Sequence, residues 1–112
     1  MNNTNIITIE EKQAVKKAWD QMKKKLYAGN DPLNVKGDLY MTNQQMDKRT
    51  ATINLGNTSR EDLEKRCLEK AEKIIDSDAF KAFSDQVKVS SISYEKREDA
   101  YYNLCMYMRI NY

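Results

Sequence analysis

A stripe of apolar residues with helical spacing runs through the first quarter of the chain. Its members recur every three or four residues: Val15, Trp19, Met22 and Leu26. This spacing places them on one face of an α-helix. Thr8 and Glu11 match a capping box at its start. Gly29, Asn30 and Pro32 are residue types that end helices. We therefore predict a helix over residues 9–28 that must bury this stripe against another element.

Residues 31–57 change from helical to alternating spacing. Between residues 50 and 55 the polar positions alternate with three apolar ones, Ala51, Ile53 and Leu55. Alternation of this kind indicates a half-buried β-strand. We predict a β-hairpin of residues 38–43 and 49–55, with the polar segment "NQQMDK" as its turn. A lone hairpin is marginally stable in water, so it should pack on a helix or gain another strand.

Two further helices are predicted after Gly56. Thr58 and Glu61 match a second capping box, which starts a helix over residues 59–76. Ser77 or Asp78 could cap a third, shorter helix. The apolar stripes of the two helices are Leu63, Cys67, Leu68, Ala71, Ile74 and Ile75, then Ala79, Phe80, Phe83 and Val87. The following segment, "VKVSSIS", fits either a strand or a loop, because its serines disfavour helix.

The final segment, "AYYNLCMYMRINY", fits two periodicities. A helix capped by Ser93, the interpretation we favour, has a main stripe of Tyr101, Leu104, Cys105 and Met108. That helix leaves Tyr102, Met106 and Arg109 on another side. A strand places one row on a single face: Tyr102, Leu104, Met106, Met108, Ile110 and Tyr112. In the strand interpretation "EKRED" lies at the tip of a hairpin. Only the helix interpretation leaves exposed apolar residues that a second surface would have to cover.

These elements predict an α+β fold in a single domain of residues 1–112. Three to four helices would pack on a small antiparallel β-sheet or hairpin. The alternative is a mostly α-helical bundle with one β-hairpin. A length of 112 residues is sufficient for a modest core without metal or disulfide cross-links.

The composition argues against the common catalytic chemistries. The chain contains no histidine, which removes histidine-assisted nucleophiles and His-containing zinc sites. Its three glycines stand apart and form no phosphate-binding loop. Paired carboxylates at Glu61/Glu64, Glu69/Glu72 and Asp76/Asp78 alternate with lysines, as on an ordinary solvated helix face. We predict a protein that is not an enzyme and uses no cofactor or metal.

Cysteine usage and the N-terminus suggest a cytoplasmic protein. Cys67 and Cys105 have no CxxC spacing and lie among apolar residues, so we interpret them as reduced thiols. The N-terminus has no secretory signal pattern, and no apolar run is long enough to span a membrane. Asn, Lys, Ile and Tyr are abundant, and their A/T-rich codons are typical of low-GC bacteria, their phages and their plasmids.

The leading functional hypothesis is a non-enzymatic protein-binding module, such as a phage- or mobile-element-encoded inhibitor or accessory factor that binds a host protein. Five of the seven tyrosines lie between residues 94 and 112. Tyrosine and methionine are enriched at protein interfaces. We predict a partner protein or a second copy at a C-terminal site formed by Tyr102, Met106, Arg109 and Tyr112.

The alternative hypothesis is a nucleic-acid-binding regulator that uses the basic face of the first helix. The lysines on or beside this face are Lys12, Lys16, Lys17, Lys23 and Lys24. Such a stripe could contact phosphates with an affinity that falls as salt rises. The net charge of the chain is only +2, and arginine, which reads base edges best, is scarce. Any binding would therefore have little sequence specificity.

Overall fold

The computed structural model describes residues 6–28 and 39–112. In that part of the chain, four helices and four strands follow one another in the order α1 (Ile9–Tyr27), β1 (Leu39–Tyr40), α2 (Asn43–Asp47), β2 (Thr50–Asn57), α3 (Glu61–Asp76), α4 (Asp78–Val87), β3 (Ser91–Glu98) and β4 (Leu104–Asn111). The predicted α+β class is confirmed, and the mostly helical alternative is wrong. No helix among the described residues is both long and apolar enough to cross a membrane.

The strands form one antiparallel sheet in the order β1-β2-β4-β3. Helices α1, α3 and α4 share a single core with one face of this sheet. The most deeply buried large side chains in that core are Phe83, Met22, Ile53, Ile74, Met108 and Ile110. Trp19 of α1 meets Phe83 of α4 edge to face, with ring centroids 5.4 Å apart. Edge-to-face contact is a favourable arrangement of aromatic rings, so this pair helps to fix how α1 packs against α4.

The first helix begins where the sequence predicts. The Thr8 hydroxyl oxygen accepts a hydrogen bond from the Glu11 backbone N–H at 3.1 Å, and α1 starts at Ile9. Val15, Trp19, Met22 and Leu26 are all buried. The predicted stop signals, Gly29, Asn30 and Pro32, lie outside the described residues.

The predicted hairpin is present but altered. β1 and β2 are antiparallel partners, with Leu39 opposite Ile53 and Tyr40 opposite Thr52. The segment predicted as its turn contains the short helix α2 instead. Thr42 and Gln45 complete a capping box there, with hydrogen bonds of 3.0 and 3.1 Å. Sequence analysis missed this helix because one helical turn carries too little periodicity to detect.

The predicted cap of α4 forms, whereas the predicted cap of α3 does not. Ser77 caps α4, since its hydroxyl accepts from the Phe80 N–H at 3.2 Å. The predicted Thr58–Glu61 capping box does not form, and α3 begins at Glu61 without a side-chain cap. Thr58 is buried, and its backbone N–H donates to the Leu104 carbonyl at 2.8 Å. Pairing with β4 therefore keeps Thr58 in the sheet, away from the helix end.

The end of the chain is a strand, so the favoured helix over residues 100–112 is wrong. β4 pairs with β2 on one side and with β3 on the other. Met106, Met108 and Ile110 face the core, as the alternating pattern predicts. Cys105 and Tyr107 on the opposite face are buried as well, so burial on both faces explains why the segment is so apolar.

Candidate functional site

The β3–β4 turn is held by a dense set of hydrogen bonds around Asp99. Its carboxylate accepts from the backbone N–H groups of Tyr101 at 2.8 Å and Asn103 at 2.9 Å. The Asp99 carbonyl also accepts from the Tyr102 N–H at 3.1 Å. These bonds, first that from Asn103 and then that from Tyr101, lower the pKa of the Asp99 carboxyl. Their stabilising effect is therefore present at neutral pH and is lost only as the pH falls through that lowered pKa.

This turn exposes two tyrosines almost completely. The exposed fractions are 83% for Tyr101 and 85% for Tyr102, and Leu104 beside them is 37% exposed. Tyr102 has a φ of 63°, a left-handed conformation uncommon for a bulky residue. The turn thus holds two large aromatic side chains outward on a restrained backbone. We call residues 99–103 the hairpin tip.

The four residues predicted as a C-terminal binding site do not form one surface. Met106 is 4% exposed and belongs to the core. Arg109 lies on the opposite face of β4, where its guanidinium donates to Glu95 at 2.9 Å. Tyr112 is half-buried, and that burial raises the pKa of its hydroxyl to about 12. Tyr102 and Arg109 are exposed, but Tyr102 lies in the turn before β4 and Arg109 on the face of β4 opposite Met106, so the predicted residues are spread over separate surfaces.

The second face of β4 is covered by polar neighbours. Tyr107 is buried on this face, and the Arg97 guanidinium lies 4.2 Å from its ring centroid. Cys105, also buried, places its thiol 3.9 Å from the Asp99 carboxylate. The exposed interface expected for a C-terminal helix is therefore absent from this part of the described structure.

The lysines of the predicted nucleic-acid site have different surroundings. Lys12 forms an ion pair with Asp47 of α2, and Lys23 is half-buried. Lys16, Lys17 and Lys24 are exposed and line a shallow depression on the outer side of α1. None of these three forms an ion pair with another described residue. The basic surface is thus narrower than the five-lysine stripe in the sequence.

The described residues offer little reactive chemistry. Within ranges 6–28 and 39–112, no group of three or more Cys, Asp or Glu side chains is arranged to hold a metal ion. Cys67 and Cys105 are free and buried, and burial raises the pKa of both thiols. A raised pKa keeps a thiol protonated at neutral pH and therefore poorly nucleophilic.

One exposed surface, beside strand β3, was not predicted from the sequence. β3 is an edge strand, and on its helix-facing side Tyr94 is 42% exposed. Leu68 of α3 is 40% exposed, and α3 reaches the same strand through a 2.8 Å ion pair between Glu64 and Lys96. The strand itself was one of the two interpretations of "VKVSSIS", but its position at the sheet edge depends on strand order.

Comparisons with known proteins identify no relative. No protein-family model matches the chain, and neither curated protein sequences nor solved structures give a significant match.

Proposed function

We propose that this chain is a non-enzymatic protein-binding module whose main contact is the hairpin tip. The observation that carries the proposal is the pair Tyr101 and Tyr102, both more than four-fifths exposed on a turn restrained by Asp99. Tyrosine is one of the residues that contribute most to binding energy at protein interfaces. Its large ring loses little conformational entropy on binding, so it is a favourable anchor.

The restrained turn strengthens this argument. Ordering a flexible loop on binding would cost part of the interaction energy, and a turn that is already ordered avoids that cost. Leu104 adds apolar area next to the two tyrosines. We expect the partner to present an apolar pocket with polar groups at its rim, which would match a ring that carries a hydroxyl.

The biological setting that we propose is the cytoplasm of a host cell. There the chain would act as a phage- or mobile-element-encoded inhibitor or accessory factor, by occluding a host protein or by completing an assembly. Such action requires a surface and no reactive group, in keeping with buried, protonated thiols and the lack of histidine.

Substitution of the hairpin tip tests this proposal. The double variant Tyr101→Ser with Tyr102→Asn removes both rings, and asparagine tolerates the left-handed backbone at position 102. We expect a host protein retained by the immobilised wild-type chain to bind this variant more than tenfold more weakly. One interface anchor contributes at least about 2 kcal/mol, which exceeds a tenfold change in affinity.

Tyr40→Ser is the matched control, because Tyr40 is a 42% exposed tyrosine on a different strand. It should retain the same protein as wild type. Equal retention of every captured protein by the wild type and the tip variant would contradict the proposal, provided that their circular dichroism spectra agree.

A second candidate function, nucleic-acid binding through α1, rests on the exposed trio Lys16, Lys17 and Lys24. Three phosphate contacts would weaken binding roughly fortyfold between about 50 and 200 mM salt. We expect Lys→Glu substitution of the trio to abolish retention on generic DNA and RNA, whereas Lys65→Glu with Lys73→Glu on α3 should not. Lack of retention of the wild type at low salt would eliminate this function.

A further inference from the structure

The outer edge of β3 carries unpaired backbone groups. On the side of β4 that faces β2, the Leu104 carbonyl accepts from Thr58 and the Tyr112 N–H donates to Arg49. Because bonding direction alternates along a strand, the even-numbered residues of β4 bond β2 and the odd-numbered ones bond β3. The odd-numbered residues of β3 complete those bonds, since the register pairs residue 91 with residue 111 and residue 97 with residue 105.

The backbone N–H and C=O groups of Ile92, Tyr94 and Lys96 therefore point away from the sheet. No strand within residues 6–28 and 39–112 pairs with them. β3 spans eight residues, whereas β1 at the opposite edge spans two. Among residues 6–28 and 39–112, the β3 edge is therefore the longest free edge of the sheet.

An apolar patch lies beside this edge. Glu64, Leu68 and Glu72 follow one another at four-residue spacing along one side of α3. Glu64 contacts Lys96. Burial raises the pKa of the Tyr94 hydroxyl, and Glu72 lies close enough to raise it further. Leu68, between these carboxylates, thus faces the same strand. A strand added to β3 would cover both Leu68 and Tyr94.

The charges of β3 and the length of the paired segment together favour one register for pairing with a second copy. Two copies related by a twofold axis perpendicular to the sheet pair residues of the same face. Pairing centred on Glu95 or on Lys96 would place like charges directly opposite each other, which is destabilising. Pairing centred on Tyr94 places Ser93 opposite Glu95 and Ile92 opposite Lys96. In this register seven residues of each strand are paired, and no two like charges lie opposite each other.

We propose that two copies of this chain pair antiparallel through β3, with Tyr94 at the twofold axis, to form an eight-stranded sheet. The occupant is a second copy because, in this register, β3 can pair with its own sequence over seven residues without opposing like charges. Within the described part of the chain, the two-residue β1 offers no comparable edge for growth, so the assembly closes as a dimer. Charged residues on an edge strand usually prevent unspecific pairing. In β3 they instead favour the register in which no like charges lie opposite each other.

The dimer would present its two hairpin tips at opposite ends. With a rise of about 3.4 Å per residue, the two Glu98 positions lie about 27 Å apart, and each tip extends beyond them. The module would then be bivalent toward its partner. Self-association does not require the proposed hairpin-tip function, and its measurement needs no partner, so either proposal can fail alone.

Light scattering over a wide concentration range tests this dimer, together with substitutions that introduce a charge at the twofold axis. We expect the wild type to reach twice the chain mass of 13.1 kDa. Tyr94→Lys and Tyr94→Glu should each stay monomeric alone, because each places like charges across the axis. An equimolar mixture of the two variants should recover the doubled mass, and that recovery also shows that both variants are folded.

Tyr40→Lys supplies the control, with the same substitution at an equally exposed tyrosine on the other edge strand. It should dimerise like the wild type. The proposal is overturned by a wild type that remains monomeric at all concentrations, by a larger oligomer, by either Tyr94 variant dimerising alone, or by a mixture that stays monomeric.

Discussion

Replacement of Met108 by lysine should lower the free energy of unfolding by about 3–5 kcal/mol, the range for an unpaired buried charge. Met108 is fully buried, between Ile53 of β2 and Tyr94 of β3 on the helix-facing side of the sheet. An ammonium group there would lose its hydration without gaining a partner. Because domains of this size are stable by only about 5–15 kcal/mol, this loss is a large share of the total stability.

Arg109→Lys is the matched control, since Arg109 is adjacent in sequence but exposed on the opposite face. Its ion pair with Glu95 lies at the surface, where such pairs contribute about 1 kcal/mol or less. Urea unfolding followed by circular dichroism measures both variants. Similar losses of stability would contradict the alternation of faces in β4.

Phe83→Ala should cost about 3–5 kcal/mol, the usual range for removing a buried phenylalanine ring. Phe83 is 1% exposed and contacts Trp19 edge to face across the interface between α1 and α4. Phe80 is a second aromatic neighbour of Phe83, with ring centroids 6.4 Å apart. Loss of the ring would leave a cavity where two helices meet, and neighbours in regular helices can refill it only in part.

Ile9→Ala serves as the comparison for Phe83→Ala, because Ile9 is also a large apolar helical residue but is 72% exposed. Its substitution should change the unfolding free energy by about 0.5 kcal/mol or less. Both effects can be read from urea denaturation midpoints, with tryptophan fluorescence reporting on Trp19. A midpoint for Phe83→Ala close to that of Ile9→Ala would show that the α1–α4 contact contributes little.

The helices were predictable because their signals are local. The Thr8 cap and the stripe from Val15 to Leu26 lie within one segment, and both form as predicted. At Thr58, by contrast, the local sequence pattern predicts a helix cap that does not form. Its capping pattern is as good as that of Thr8, but a hydrogen bond to Leu104, 46 residues away, takes precedence. A pattern cannot show which of two compatible bonds the folded chain will make.

The candidate site was predictable only in part. Tyr102 belongs to the predicted binding set and is exposed, whereas Met106 from the same set lies in the core. The two residues are separated because Tyr102 lies in the turn that precedes β4, outside the strand that buries Met106, whereas the favoured helix would have grouped them. Tyr101 was predicted to lie on the buried stripe of that helix, but it is exposed at the hairpin tip.

By itself, the sequence determined the α+β class, the three longer helices and the absence of histidine chemistry, since each follows from composition or from short-range periodicity. Only the tertiary structure decided that residues 104–111 form a central strand, because both periodicities fit this segment and pairing with β2 and β3 selects one. The same pairing leaves β3 at the edge beside Leu68 and Tyr94. Strand order depends on contacts between distant residues, which no local pattern records.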